Sequence, residues 1–325
     1  MRSAPGQTVS FHGIEMKTRT VVVLASLLLL SSLCAMAASE RGITVRTALV
    51  YLQPDRTSAK LATLDRGREV ILLEKVNEWL HVMASVTKER DVTGWMLDKG
   101  VIRTSTPNGD RILYGEAVDS EAEAAKRGGR RGAAQDAMRL YAMVYEYFPQ
   151  SPLAGEALYR SADVRWQLDR ADARSRPSSK NPDPDMRPQI EEQYMRLVMR
   201  KFPKTKWADQ AAFNLIDNRL CGEWQGASKC PEREADIYED YAKDHPNSPA
   251  APEALYNAAT RRAALIEIYK TENKNGKIDE ARNRARQLGQ QIVSQYPNNA
   301  DWVARAQRLL YILEQNIATY GNAQE

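Results

Sequence analysis

Short runs of apolar residues that alternate with polar ones, broken by turn residues, occupy the chain between residues 43 and 105. The runs Val70–Leu73 and Trp79–Met83 are rich in β-branched and aromatic residues, which favour strands. Gln53-Pro54-Asp55 and Asp65-Arg66-Gly67 are two of the turn signals between the runs. Because several short strands follow one another with frequent turns, the pattern predicts a small all-β barrel over residues 43–105.

A different spacing, of three and four residues between apolar positions, runs from residue 131 to residue 321 and predicts amphipathic helices. One unit recurs there: Phe148-Pro149, Phe202-Pro203 and His245-Pro246 each precede alanines five and eight residues after the proline and an aromatic residue ten after it. A weaker copy begins at Tyr296-Pro297. This internal repetition predicts an all-α solenoid of helical hairpins over residues 131–321, and hence a multi-domain chain.

The repeated proline also predicts where the helices end and begin. A residue before proline disfavours the α conformation, so the first helix of each hairpin should end at the aromatic residue or histidine. Ser151, Thr205 and Ser248 are candidates for the N-cap of the second helix. In a stacked array, we expect the exposed inner surface to be built mainly from the first helices. Residues 106–130 are expected to form a linker, with the basic segment 126–132 as a solvated hinge.

The first 37 residues have the layout of a secretory signal peptide. Lys17 and Arg19 precede an uncharged apolar run over residues 21–33, and Ala35-Met36-Ala37 provides a small-x-small cleavage site. The apolar run is shorter than the ~20 residues that a transmembrane helix needs. We therefore expect the protein to be exported, to the periplasm, with residues 1–37 removed by cleavage after Ala37.

Cys34 leaves one alternative open, in which the export signal ends in a lipid-modified cysteine. Leu33 and Ser31 occupy the positions where a lipid-attachment motif normally has a small residue and a leucine. Cleavage after Ala37 is therefore the preferred interpretation. A membrane association is expected only if Cys34 is lipidated.

The charge balance of the chain indicates which classes of partner to expect. The chain has 46 basic and 42 acidic residues, a formal net charge of +4, and residues 1–37 hold three of the basic residues and one of the acidic ones. The remainder is nearly neutral. Since nucleic-acid binders usually carry a strong basic excess, we expect no nucleic-acid partner.

Two cysteines, Cys221 and Cys230, follow the signal segment and lie close together in the sequence. In an oxidising compartment such a local pair predicts a disulfide. A metal site is the alternative, but it needs about four ligands, and no histidine or third cysteine lies nearby. The pattern favours the disulfide, and no metal site or cofactor is expected in this chain.

The β-rich segment resembles the bacterial SH3-like domain family. The resemblance rests on the strand and turn Leu49–Pro54, on Gly67 before a strand, on Trp79 with Val82, and on Gly94-Trp95. It runs through the whole of residues 43–105 and implies an SH3-like barrel that binds cell-wall peptides or proteins.

The same resemblance suggests an aromatic ligand groove made by Tyr51, Trp79 and Trp95. Both tryptophans have a second interpretation, as core residues of a barrel with little else to bury. The family usually carries Asn-Val-Arg in its first strand, whereas Val50-Tyr51-Leu52 stands here. No ligand role of that arginine can therefore be transferred to this chain.

The helical part resembles the tetratricopeptide-like repeats of bacterial envelope proteins. In style it is similar to the helical lipoprotein of the outer-membrane β-barrel assembly machine and to the coordinator protein of the Tol–Pal system. The resemblance rests on the aromatic-proline unit with its two alanines. The prolines are 54, 43 and 51 residues apart, more than the usual period of ~34, so the helices or the linkers should be long. The resemblance implies a scaffold for other envelope proteins.

Candidate chemistry favours such a scaffold over an enzyme. Beyond residue 37 the histidines are His81 and His245, and neither has a nucleophile in its local pattern. His245 occupies the aromatic position of the repeat, which predicts a packing role. We therefore expect an exported non-enzymatic scaffold that binds envelope proteins through its helical array. The alternative is a peptidoglycan-binding protein that reads the cell wall through its SH3-like barrel.

Overall fold

The structure, a computed structural model, describes residues 40–87 and 89–321. The predicted signal peptide over residues 1–37, with Cys34, lies outside the described residues. Within them, the N-terminal part of the chain forms a seven-stranded antiparallel sheet and the C-terminal part is helical. The chain therefore has a mixed, multi-domain layout.

The sheet is built from short strands joined by tight turns. They are β1 (Arg41–Thr44), β2 (Ala48–Tyr51), β3 (Lys60–Leu64), β4 (Glu69–Val76), β5 (Trp79–Thr87), β6 (Arg90–Leu97) and β7 (Val101–Arg103). Across the sheet their order is β3-β2-β6-β5-β4-β1-β7, with antiparallel neighbours throughout. Because β3 and β7 lie at opposite edges of these described strands, the sheet is open where the sequence predicts a closed barrel.

One face of the sheet buries an aliphatic core. In β5, Leu80, Val82 and Ala84 are buried, whereas Met83 between them is 37% exposed. This alternation is typical of a strand with one face on the core and one face in water. The buried side chains join a cluster with Val50, Leu64, Val70, Val92, Met96 and Val101.

Nine helices are described in the rest of the chain. They are α1 (Gly109–Ala125), α2 (Ala133–Tyr147), α3 (Ala154–Ser175), α4 (Gln193–Lys201), α5 (Lys206–Asn214), α6 (Lys229–Asp244), α7 (Ala251–Thr271), α8 (Ile278–Gln295) and α9 (Ala300–Glu314). Short 3₁₀ segments lie at Pro177–Lys180, Pro184–Met186, Leu215–Arg219 and Asn275–Lys277. Helices that are close in sequence pack together: α1 with α2, α2 with α3, α4 with α5, α6 with α7, α7 with α8, and α8 with α9.

Four helices end at the residue before a proline, as the repeated unit predicts. Phe148, Phe202, His245 and Tyr296 follow α2, α4, α6 and α8, with φ between −129° and −123° and ψ between 46° and 58°. Each donates its backbone N–H to the carbonyl four residues earlier, which completes the helical hydrogen bonding before the chain turns. The shared geometry follows from the proline ring, which clashes with a preceding residue in the α conformation.

The predicted N-caps are right at one helix and wrong at two. Thr205 caps α5, and its Oγ1 accepts a hydrogen bond at 3.3 Å from the N–H three residues on. Ser151 and Ser248 lie three residues before the first residues of α3 and α7. Their hydroxyls instead accept hydrogen bonds from the N–H two residues on. Each serine therefore stabilises a turn that precedes the helix, which is the alternative use of a serine hydroxyl near a helix start.

The segment 106–130, expected from the sequence to be a linker, contains helix α1 and belongs to the folded part of the chain. Leu113 and Ala117 of α1 are fully buried. The basic segment 126–132 is also held in place, since the N–H of Arg130 donates to a carboxylate of α1 at 3.1 Å. The sequence pattern does not reveal this helix because three of its four buried residues are small, so the contrast between its two sides is weak.

The sheet and the first three helices share one hydrophobic core. Ile43, Val45 and Ile102 from the sheet region pack with Leu113, Ala117, Ala137, Leu140, Tyr141, Val144 and Ala157 of α1, α2 and α3. At the edge of this core Gly67 has φ +72°, and a Cβ there would lie 2.8 Å from the Cβ of Arg139. Glycine is required at this position because both the backbone conformation and the close approach exclude a side chain.

Candidate functional site

The three aromatic residues predicted to form a ligand groove lie together in the sheet, but two of them are covered. Tyr51 and Trp79 are 8% and 7% exposed, and their rings meet edge to face with centroids 5.7 Å apart. Trp95 is half-buried, lies opposite Tyr51 across β2 and β6, and stacks on the His81 ring at 4.7 Å. Of this group, the Trp95–His81 pair offers the aromatic surface that a ligand could meet.

The predicted cysteine pair connects the loop between α5 and α6, which contains Cys221, to the first turn of α6, which contains Cys230. The sulfur atoms of Cys221 and Cys230 are at bonding distance, and their Cα atoms are 6.1 Å apart. The buried carboxylate of Glu234 accepts hydrogen bonds from the Cys221 N–H at 2.9 Å and from the Trp224 indole at 3.2 Å. Its other oxygen accepts from Arg261 of α7 at 2.7 Å, which compensates the buried charge. These contacts hold the loop against α7.

A polar cleft of about 740 Å³ opens between α3, α5 and α7, with the cysteine loop on one side. These are the second helices of three consecutive hairpins, whereas the sequence predicts an inner surface made mainly of the first helices. Helix lengths account for the gap, since α3 and α7 have 22 and 21 residues and α5 has 9. At 1.5 Å per residue, α5 spans about 14 Å between neighbours that span about 32 Å. The short middle helix therefore leaves the space that forms the cleft.

One side of α3 supplies much of the cleft wall. Residues at intervals of three and four lie on one side of a helix, and here they are Tyr159, Asp163, Trp166, Arg170 and Arg174. Near the middle of the stripe, the Trp166 indole donates to Asp217 Oδ2 at 3.1 Å and Arg170 pairs with the same oxygen at 3.2 Å. The stripe thus runs from an acidic side chain, past a neutralised ion pair, to a cationic one.

Hydrogen-bond acceptors gather near Asp163, and we call Asp163, Gln210 and Glu253 the acceptor end of the cleft. Asp163 Oδ1 accepts from Asn214 at 2.6 Å and from Gln167 at 3.3 Å. No described side chain donates a hydrogen bond to Asp163 Oδ2 or to the Glu253 carboxylate. Gln210 Oε1 is buried without a hydrogen-bond partner among the described residues. Asp163 Oδ2 and the Glu253 carboxylate are therefore free to meet a donor from outside, whereas Gln210 Oε1 lies below the surface of the cleft.

Burial changes the ionisation of this end. It raises the pKa of both the Asp163 and the Glu253 carboxyl above the usual range, because a carboxylate loses hydration there. Burial also raises the pKa of the neighbouring Tyr159, and the Asp163 and Glu253 charges raise it further. Arg170 and Arg305 face Glu253 and offset part of the burial effect. Because the pKa of Glu253 stays raised, Arg170 and Arg305 compensate the burial of its negative charge only in part.

The opposite end of the cleft carries positive charge, and we call Arg174 and Arg187 its donor end. Arg187 donates to the Ser179 carbonyl at 3.0 Å and to the Leu220 carbonyl. Burial lowers the pKa of the Arg187 guanidinium, and the nearby charge of Arg174 lowers it further. Within the described residues Arg174 has no ion-pair partner, so its charge is available to a ligand.

In residues 40–87 and 89–321, no group of three or more His, Cys, Asp or Glu side chains is arranged to hold a metal ion. His245 is a packing residue as predicted: its Nδ1 is 2.9 Å from Asp209 Oδ1 and its ring is 4.8 Å from that of Tyr241. Among the same residues, no helix combines the length and the apolar character that crossing a membrane requires.

Of the candidate site residues named from the sequence, Cys221 is the one that lines the cleft among the described residues. The sequence of α3 does contain an indication of the cleft wall. Asp163, Arg170 and Arg174 follow one another at intervals of seven and four residues, which places their charges on one side of the helix. That stripe was missed because a charged helix side is usually a solvated one. The side chains that complete the cleft, such as Gln210 and Glu253, come from other hairpins and cannot be assigned to it by spacing.

No protein-family model matches the chain, and no curated protein matches it significantly. Among solved structures, one described as "DHF119 filament" is 15% identical, over 63% of this chain and 92% of its own length, with a TM-score of 0.23. A likeness this slight carries no argument about the fold or the function.

Proposed function

We propose that the protein is an exported, non-enzymatic scaffold of the bacterial envelope that binds a partner protein in the cleft between α3, α5 and α7. The observation that carries this proposal is the cleft itself: about 740 Å³, open, and lined by charged and amide side chains of both hydrogen-bonding types. Three consecutive hairpins contribute to it, so one ligand could contact all three. Polar clefts with several free donors and acceptors suit a peptide backbone and its side chains.

The fold families remain part of the proposal. We take the sheet to be a member of the bacterial SH3-like family, opened at one edge where α1 and α2 cover it. We take the helices to be a tetratricopeptide-like array with unusually long hairpins. A helix end before Pro149, Pro203, Pro246 and Pro297 recurs four times, each time between two helices that pack together, and this recurrence supports a repeated unit.

Export to the periplasm is proposed from the sequence of residues 1–37. The sulfur distance between Cys221 and Cys230 supports it, because structural disulfides persist in oxidising compartments. The cysteine loop also lines the cleft, so an oxidising compartment would keep the binding site in one shape.

Cell-wall binding through the sheet is the second candidate, and the half-buried Trp95 stacked on His81 is the observation that favours it. Stacked aromatic rings can bind sugars or peptides through their faces. The candidate is weaker because Tyr51 and Trp79, the other two residues of the expected groove, are buried.

A capture experiment with the whole chain from residue 38 tests the two candidates against each other. Splitting the chain is unsuitable, because the core around Leu140 joins the sheet to the helices. The immobilised protein is incubated with envelope extract, and its bound proteins are compared with those of Glu253→Gln and Arg174→Gln. Glu267→Gln is the matched control, since Glu267 lies on α7 outside the cleft and pairs with Lys270.

The scaffold proposal expects the two cleft variants to lose the same partner, which the control retains. It is contradicted if the partners of all four proteins are identical. A second arm sediments the protein with purified cell wall. Pelleting that Trp95→Ala abolishes and the cleft variants do not would replace the scaffold by the cell-wall candidate.

A further inference from the structure

Helix α3 fixes the distance between the two charged ends of the cleft. Asp163 and Arg174 are eleven residues apart on this helix. At 3.6 residues per turn, eleven residues complete about three turns, so both side chains lie on the same side of α3. At a rise of 1.5 Å per residue, they are about 16 Å apart along the helix axis. The cleft therefore presents opposite charges at a defined spacing.

Each end of the cleft can bind one kind of charged ligand group. The acceptor end offers Asp163 Oδ2 and the Glu253 carboxylate, which suit the N–H donors of a lysine or arginine side chain. The donor end offers Arg174, which suits a carboxylate because a guanidinium can donate two parallel hydrogen bonds. Charge-assisted hydrogen bonds of this kind are stronger than neutral ones.

The lining between the ends is compatible with an uncharged stretch of ligand. Arg170 and Asp217 neutralise each other there at 3.2 Å. The Tyr159 and Phe213 rings line the same cleft and could pack against the apolar stem of a basic side chain. An extended chain rises about 3.3 Å per residue and its side chains alternate between two faces. Residues about four apart therefore face the same way about 13 Å apart, and the length of a lysine and a glutamate side chain covers the rest of the distance between the ends.

On the basis of the proposed function, we propose that the cleft recognises an extended segment of the partner protein that carries a basic side chain and, about four residues away on the same face of the segment, an acidic one. The basic side chain binds at Asp163 and Glu253. The acidic side chain binds at Arg174, beside Arg187. A charge pattern with this spacing is thus what distinguishes the partner from other envelope proteins.

The probes are the peptide acetyl-Gly-Lys-Ser-Ala-Ser-Glu-Gly-amide and its reversed sequence, which present the two charges to the cleft in the two possible chain directions. Three further peptides accompany the better binder. In the first, norleucine replaces the lysine; in the second, glutamine replaces the glutamate; in the third, the lysine and the glutamate are adjacent. Binding to the chain from residue 38 is measured by titration calorimetry at low salt.

Removing either peptide charge, or placing the two side by side, should weaken binding about tenfold, the loss of one charge-assisted contact. The variants then assign each charge to its end of the cleft. In a chain with both Asp163→Asn and Glu253→Gln, the lysine and norleucine peptides should bind equally. In Arg174→Gln, the glutamate and glutamine peptides should bind equally. Glu267→Gln and Arg176→Gln, which alter charges outside the cleft, should behave as the unaltered chain does.

Thermal unfolding of each variant establishes that it is folded before binding is compared. The inference is overturned if neither charged peptide shows saturable binding, or if all the peptides bind alike. It is also overturned if the control variants reduce binding as much as the cleft variants. If the cleft variants still lose the captured partner, these results contradict the inference about the charge pattern but not the proposed function. If the cleft variants also capture the same proteins as the unaltered chain, both proposals are contradicted.

Discussion

Replacing Leu140 by alanine tests whether the sheet and the helices are one structural unit. Leu140 lies on α2, is 0% exposed, and belongs to the core that joins Ile43 and Ile102 of the sheet to α1, α2 and α3. The substitution removes three carbon atoms from a site without access to water. Because distant β1 and β7 line the same core, the effect should reach the sheet and not stay within the helices.

The magnitude follows from the buried volume. Losing about three methylene-sized groups removes about 2.4 kcal/mol of transfer free energy. The cavity that remains adds to this, and measured values for fully buried Leu→Ala changes are about 3–5 kcal/mol. We expect Leu140→Ala to lower the free energy of unfolding by about 3 kcal/mol, which corresponds to a fall in Tm of about 5 °C in a chain of this size.

Urea unfolding followed by circular dichroism measures the total loss, and hydrogen exchange with mass spectrometry locates it. Exchange should become faster in the peptides that contain β1 and β7 as well as in those from α1 and α2. Leu265→Ala is the control, since Leu265 is equally buried but lies in the separate core of α6, α7, α8 and α9. It should cost a similar free energy and accelerate exchange mainly in those helices. Unchanged exchange in β1 and β7 of Leu140→Ala would refute a shared core.

Three further predictions concern Gly67, the Cys221–Cys230 pair and Glu253. Gly67→Ala should lower the free energy of unfolding by about 1–3 kcal/mol, since the position combines a positive φ with a close contact. Gly128→Ala is the control, with φ +76° and open space around it, and should lower that free energy by only about 1 kcal/mol. Equal losses of stability in thermal unfolding would contradict this prediction. Alkylation of the periplasm-derived protein without reductant should leave Cys221 and Cys230 unmodified, and reduction should cost ~2–3 kcal/mol; two alkyl groups on the native protein would show that the bond is absent. Glu253→Gln should stabilise the protein at neutral pH while it weakens partner binding, and the pH dependence of Tm for both chains measures it.

The sign of the last prediction comes from the raised pKa of Glu253. In the unfolded chain this carboxyl ionises at its usual pKa, whereas in the folded protein burial delays ionisation to higher pH. The cost to folding is absent below the unfolded pKa, grows as the pH rises between the two values, and stays constant above the folded one. The stabilisation by Glu253→Gln should therefore vanish in acid; a gain that is the same at every pH would show that charge is not its cause.

The helix ends were predictable because their cause is local. The ring of Pro149 or Pro203 restricts the residue directly before it, so Phe148 and Phe202 end their helices whatever surrounds them. The alternation in β5 was predictable for a similar reason, since a strand with one buried face must repeat every second residue. The two misplaced N-caps mark the limit of this reasoning, because Ser151 and Ser248 can stabilise a turn as well as a helix start.

Helix α1 shows what a local pattern cannot reveal. Its buried residues are Gly109, Leu113, Ala117 and Ser120, and three of these four are small, so the contrast between its two sides is weak. What makes the segment helical is the space beside Ile43, Ile102 and α2 into which those small residues fit. A linker was expected because that space is formed by residues far away in the sequence.

The sequence by itself therefore determined that a β-rich segment precedes a helical one, that helices end at the repeated prolines, and that Cys221 lies near Cys230. Tertiary structure alone decided that the sheet stays open, that it shares a core with α1 and α2, and that the second helices line the cleft. The physical reason is one of range. Steric limits and hydrophobic alternation act within a few residues. The cleft, in contrast, arises from helices of unequal length that are far apart in the sequence. Its charged residues form one site only because the fold brings Asp163, Arg174 and Glu253 to the same space.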